Sequence, residues 1–166
     1  MFYNIDKRVG KQVWLFEDYN LKQDKVWTVA SLHENDENHH DYYFTVTDGT
    51  ESREVLWHDT VVLPDETITD EIQRIQVYLR DNGFLHDEVW HEHIIDTTLV
   101  RIAVNWGDWK HDHGWLNSLM GHIGYELFNE ILTEEDGSDT YSSEHIFVRK
   151  DNPRYELLMN AKKIFS

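Results

Sequence analysis

The chain has 166 residues, a formal net charge of −17, no cysteine, and aromatic residues at 13%. That length sets a prior of one domain or two small ones, and the aromatic share gives enough burial to exclude a disordered chain. The absence of cysteine excludes disulfides and thiolate metal sites, and the charge argues against direct binding to nucleic acid or anionic membrane.

The first third reads as strands. KQVWLFE (11–17), KVWTVASLH (25–33), DYYFTVTDG (41–49) and REVLWHDTVVL (53–63) are rich in β-branched and aromatic residues. Together they predict an antiparallel meander, with Asp48-Gly49 marking a turn. HENDENHHD (33–41) reads as an exposed loop and Pro64 closes the meander.

Residues 65–84 turn helical, because Ile68, Ile72, Ile75 and Leu79 fall on one face. Thr69 or Asp65 is the expected cap at its start, and Asn82-Gly83 its end. Residues 96–106 alternate Val100, Ile102, Val104 and Trp106, which predicts a strand. A helix is expected over 107–124, capped by Asp108 and ended by Gly124. Gly114 and Gly121 in that helix are expected to allow close packing. Strands follow at 125–133 and 140–150, joined around Asp136-Gly137, and Pro153 opens a last helix.

The predicted class is α+β: an N-terminal antiparallel β-meander (1–64), then a helix and a ferredoxin-like strand–helix–strand–strand–helix unit (65–166) with its helices on one face. The two parts are read as subdomains of one compact domain. The expected core includes Trp14, Leu15, Ile72, Leu79, Val100, Ile102, Val104, Leu116, Leu119, Phe128, Ile146 and Val148. No stretch approaches ~18 apolar residues, and MFYNIDKRVG has no apolar signal core. A soluble cytoplasmic protein is expected, in the host cytoplasm if phage-encoded.

Charge is unevenly spread. Residues 1–25 carry a net +1 and 149–166 a net +3, while 26–148 carry −21. Acidic groups gather in HENDENHHD, DGTESRE, HDEVWHEH and TEEDGSD, all read as loop tips. If these share one end of the sheet, Asp87, Glu88, Glu92, Glu134, Glu135, Asp136 and Asp139 make an anionic ridge. Trp90 and Trp109, with Asp108, supply aromatic anchors and a further carboxylate. Carboxylates so spaced can imitate phosphates, which follow each other at ~1.7 Å per charge along duplex DNA. The strategy resembles that of small acidic phage and mobile-element proteins that inhibit restriction or CRISPR enzymes, at the level of class and charge only. That resemblance implies a non-enzymatic partner of a basic protein surface, such as a nuclease, with no direct nucleic-acid or membrane contact.

The alternative is a small metal-dependent hydrolase or metal-binding protein. His91 and His93 flank Glu92, and His111 and His113 flank Asp112. A His-x-His pair on a strand points both rings to one side, a useful arrangement for chelating zinc or another divalent ion. His111 and His113 fall instead at a helix start, where residues two apart diverge. The binding reading needs no cofactor. Asp108, Asp112 and His113 beside Trp109 and Trp115 form a possible acid–base cluster, against the simpler reading of a helix cap over core tryptophans. Tyr141, Ser143 and His145 face one side of a strand, but parallel projection makes a Ser143–His145 relay unfavourable. A third reading is a small-molecule pocket lined by tryptophan and histidine.

Overall fold

The computed structural model describes residues 5–34, 42–84, 88–94, 96–107, 113–134 and 141–165. The chain is a mixed α+β protein with antiparallel sheets, and three α-helices among the described residues. It divides into two compact units, 1–69 with 77–84, and 70–76 with 85–166.

The first unit is a five-stranded sheet of β1 (Gln12–Glu17), β2 (Asn20–Glu34), β3 (Tyr42–Thr47), β4 (Ser52–Leu56) and β5 (Thr60–Val62), in the order β4-β3-β2-β1-β5. The meander of β1 to β4 is as the alternation predicts, and each of its pairs is antiparallel. The fourth predicted run is two strands, because a 3-10 turn at Trp57–Asp59 breaks it and β5 crosses to pair with β1. Buried Arg8 pins that corner. Its guanidinium donates to the Thr60 carbonyl at 3.2 Å and to Thr60 Oγ1 at 2.9 Å, while Thr60 Oγ1 donates to the Trp57 carbonyl at 2.6 Å. Val13, Leu15, Trp27, Val29, Phe44, Val46 and Val62 form the core of this sheet.

The second strand begins at Asn20, five residues earlier than the sequence pattern indicates. Glu17 pairs with Asn20, so Asp18 and Tyr19 alone make the turn, at φ of 51° and 65°. Two left-handed residues are the requirement of a type I′ hairpin, usually met by Asn-Gly. Asp-Tyr carries no such signature, and Tyr19 is fully exposed with a Cβ that the left-handed region disfavours.

Helix α1 (Glu71–Asp81) is shorter than expected, and its cap is neither Thr69 nor Asp65. The Asp70 carboxylate accepts from the Gln73 N–H at 2.9 Å. Asp65 instead closes a local turn, accepting from the Thr67 N–H at 3.0 Å and its hydroxyl at 2.6 Å. The end is as the Asn-Gly pair foretells: Gly83 is left-handed at φ 75°, its N–H donates to the Arg80 carbonyl, and the Phe84 N–H donates to the Leu79 carbonyl. Buried Asn82 then acts as one rung of sheet for β5, accepting from the Val62 N–H at 2.8 Å and donating to the Val62 carbonyl at 3.0 Å.

The second unit is a four-stranded sheet of β6 (Glu88–Ile94), β7 (Thr97–Gly107), β8 (Tyr125–Glu134) and β9 (Tyr141–Arg149), in the order β6-β7-β9-β8. Helix α2 (His113–His122) joins β7 to β8 and packs on β8, and α3 (Tyr155–Phe165) follows β9. Strand β6 is unforeseen: its charged and histidine-rich sequence reads as a loop. Both faces of the sheet are buried, where the sequence reading expects helices on one. Leu99, Ile146 and Val148 pack with Leu158 of α3 on one face. Val100, Ile102, Val104 and Phe147, which point the other way, are also buried.

Of the expected core, Trp14, Ile72 and Phe128 are half-buried and the other nine residues are buried. Gly124 ends α2 at φ 91° as expected. Gly121 does not serve close packing, because a Cβ there would meet nothing within 4 Å.

Replacing Tyr19 with glycine removes the Cβ strain of the left-handed turn and adds glycine's unfolded-state entropy. Tyr19→Gly is expected to raise stability by about 0.5–1 kcal/mol, read as a higher urea midpoint at unchanged slope.

Candidate functional site

Strand β6 holds the densest set of candidate side chains among the described residues, and its pleat sorts them. Glu88, Trp90 and Glu92 lie on one face, and His91 and His93 on the other, beside buried Val89. Among the described residues the strand is an edge of its sheet, paired antiparallel with β7 alone.

On the Trp90 face, Arg101 of β7 organises the surroundings. It lies directly opposite Trp90 in register, with its guanidinium over the indole at 5.6 Å. It pairs with Glu144 of β9, and with Glu92 of β6 at 3.4 Å. The hydrogen bond to Glu144 holds the Arg101 guanidinium above its ordinary range. Trp90 and Glu92, read from sequence as a free anchor and a free carboxylate, are thus both engaged within the sheet.

A parallel arrangement stands in the first unit, unforeseen because its members are far apart in sequence. Lys25 and Arg53 both lie over Trp27, at 4.3 and 4.8 Å. Arg53 bridges Glu17 at 2.8 Å and Glu51 at 3.0 Å, and Lys25 pairs with Asp48 at 2.9 Å. The Glu51 N–H, then Lys25 and the Thr50 N–H, hold the Asp48 carboxyl far below the usual carboxylate range.

Ser143 and His145 correct the sequence reading. Ser143 Oγ lies 2.8 Å from His145 Nε2, so the imidazole leans along the strand to reach its neighbour's hydroxyl. Both side chains are buried, and a dyad closed to solvent gives no substrate access to a nucleophile. The pairing provides a buried polar group with a partner. The same Ser-x-His device recurs on β2, where Ser31 Oγ and Thr45 Oγ1 each lie 2.9 Å from His33 Nε2. Two further features bear on chemistry. Half-buried His122, at the end of α2, has its pKa lowered from 6.5 by desolvation and then by the charge of Lys150. A groove of about 320 Å³ in the first unit is lined by Lys11, Val62, Pro64, Asp65 and Asp81 among others, with neither tryptophan nor histidine. It therefore differs in chemistry from the pocket suggested by sequence.

Of the other sequence candidates, Asp87, Asp108, Trp109, His111, Asp112, Glu135, Asp136 and Asp139 lie outside the described residues. His113 opens α2 and Glu134 ends β8. The structure brings together Glu88, Trp90 and Glu92, and separately His91 and His93. Glu134 sits on β8, at the opposite edge of the sheet from β6. Among the described residues no group of three or more histidines and carboxylates is placed to hold a metal ion, and no helix is long and apolar enough to cross a membrane.

No family model matches the chain, and no solved structure matches it. Among curated proteins it is similar to FRAS1-related extracellular matrix protein 2 of Homo sapiens, 28% identical over 155 residues. That alignment spans 92% of this chain and 4% of the human protein.

Removing Arg101 leaves Glu92 and Glu144 without their shared cation and uncovers Trp90. Arg101→Met is expected to lower stability by about 1–2 kcal/mol in urea unfolding. For His122 the unfolded chain takes up a proton near pH 6.5, while the folded chain resists until lower pH. Stability therefore falls as pH drops below 6.5, by up to about 1.4 kcal/mol per pH unit, and is unaffected by this group above it. Melting curves at pH 7.5 and 5.5 should show a smaller acid loss for His122→Asn than for the parent; an equal loss would clear this imidazole of the effect.

Proposed function

We propose that the chain is a non-enzymatic, acidic interaction protein that docks on a basic protein surface. The observation that carries this reading is the net −21 of residues 26–148. The two arginines that structure that region, Arg53 and Arg101, are already held by the protein's own carboxylates. The charge of this region is accordingly dominated by carboxylates, and exposed Glu88 stands on an edge strand beside half-buried Trp90. The finer form of the proposal is a nucleic-acid mimic that inhibits a basic nuclease, of the anti-restriction or anti-CRISPR kind carried by phages and mobile elements, acting in the host cytoplasm. Lack of direct nucleic-acid or membrane binding follows from the same charge. We also read β7–α2–β8–β9–α3 as a ferredoxin-like unit, with β6 added at its edge.

A second reading draws on the human relative, whose name places it in the extracellular matrix. On that reading the chain is a binding module outside the cell, again working through its acidic surface.

The test is cleavage by a panel of restriction and RNA-guided nucleases with the protein added. Inhibition should fall steeply between 50 and 300 mM salt, chosen because exposed charges more than ~8 Å apart are largely screened at 0.15 M. The combined variant Glu134→Gln, Glu135→Gln, Asp136→Asn, Asp139→Asn should slow association and lose inhibition while keeping or raising stability. A folded variant with full inhibition would reduce these acids to a solubilising surface. An unfolded one would make them a structural turn.

A further inference from the structure

The side of β6 that carries His91 and His93 has a feature that the interaction reading does not use. His91 and His93 are two residues apart on one strand, so both project to the same side. Both side chains are exposed. Two strand residues apart is about 6.6–6.8 Å along the backbone, a span that two imidazoles leaning together can close. Bonds of about 2.0–2.1 Å from two ring nitrogens to one ion need those nitrogens only about 3 Å from each other.

The second observation concerns Thr98. It lies directly opposite His93 in the β6–β7 register, and its hydroxyl is 3.2 Å from His93 Nδ1. A hydroxyl that accepts from Nδ1–H fixes the ring and leaves the Nε2 lone pair for a ligand. Metal-binding histidines are commonly oriented in this way by a second partner. Glu92 is not available as a third donor, because it lies on the opposite face with Arg101.

We infer that His91 and His93 form a two-imidazole site for a late first-row divalent ion, copper(II) more tightly than zinc(II), with Thr98 as a positioning residue. Water completes the coordination. Imidazole pairs favour these ions over magnesium and calcium, which prefer oxygen donors. The chain's excess of negative charge raises the local concentration of any cation, so the rings supply selectivity where the field supplies attraction. The inference is independent of the proposed docking role.

The experiment titrates the full chain with CuCl2, ZnCl2 or MgCl2 by calorimetry in a non-coordinating buffer, with copper bound to the same samples read by electron paramagnetic resonance. The parent should show a copper site with two ring nitrogens. His91→Asn or His93→Asn should each weaken it at least tenfold and leave one nitrogen, and the double variant should lose it. Thr98→Val should weaken binding about tenfold and Thr98→Ser should restore it, since a second-sphere partner contributes about 10–100-fold. All substituted side chains are exposed, and melting curves establish that each variant is folded. The inference is overturned if the double variant keeps the parent's affinity and two-nitrogen spectrum, if no copper binds, or if magnesium competes on equal terms. Unchanged affinity in Thr98→Val would remove Thr98 from the site.

Discussion

Cations are the scarce resource of this fold. With 32 acidic residues and 15 basic ones, strands cannot be brought side by side without setting carboxylates close together. Like charges on neighbouring strands oppose pairing. Each sheet meets the difficulty in a similar way: one arginine, on edge strand β4 in the first sheet and on inner strand β7 in the second, takes two carboxylates and lies over a tryptophan. Arg53 does so with Glu17, Glu51 and Trp27, and Arg101 with Glu92, Glu144 and Trp90. The planar guanidinium suits the role, since it can accept two anionic partners at its rim while its face rests on an indole. Lys25 joins Arg53 over Trp27.

The elements legible in the sequence are those whose apolar residues keep a clean period. β1, β3, β7, β8 and β9 alternate, α1 repeats on one face, and Asp48-Gly49 and Asn82-Gly83 mark ends that the backbone honours. Three things were not legible, each for a physical reason. β6 is a strand by virtue of its partner β7, and its histidines and glutamates mask the alternation of Val89 with its neighbours. The β1–β2 turn uses Asp-Tyr where glycine chemistry would have announced it. The break between β4 and β5 depends on Arg8, a residue about fifty positions away in the chain.

Of the candidate site, residue types were legible and their partners were not. The sequence singles out Trp90 and Glu92 but cannot say that Arg101 already occupies both. It places Ser143 and His145 on one side of a strand, but chain geometry alone understates how far an imidazole can lean. The recurrence of that contact at Ser31 and His33 shows it to be a local property of Ser-x-His in extended chain. His91 and His93 have no serine two residues before them, and the contact His93 makes is with Thr98 of the neighbouring strand.

The place of β9 governs how the second sheet comes into being. It separates β7 from β8, although α2 joins those two directly in the chain. A nascent chain that has emerged only through β8 therefore holds two strands with no shared ladder, waiting for a neighbour that follows both. The last strand of the sheet is its keystone. Loop closure across α2 and β8 must precede any reward from β7–β9 pairing, which makes assembly of this sheet non-local and correspondingly slow. Until then the edges of β7 and β8 stand open, and the chain's own negative charge keeps such intermediates apart from one another.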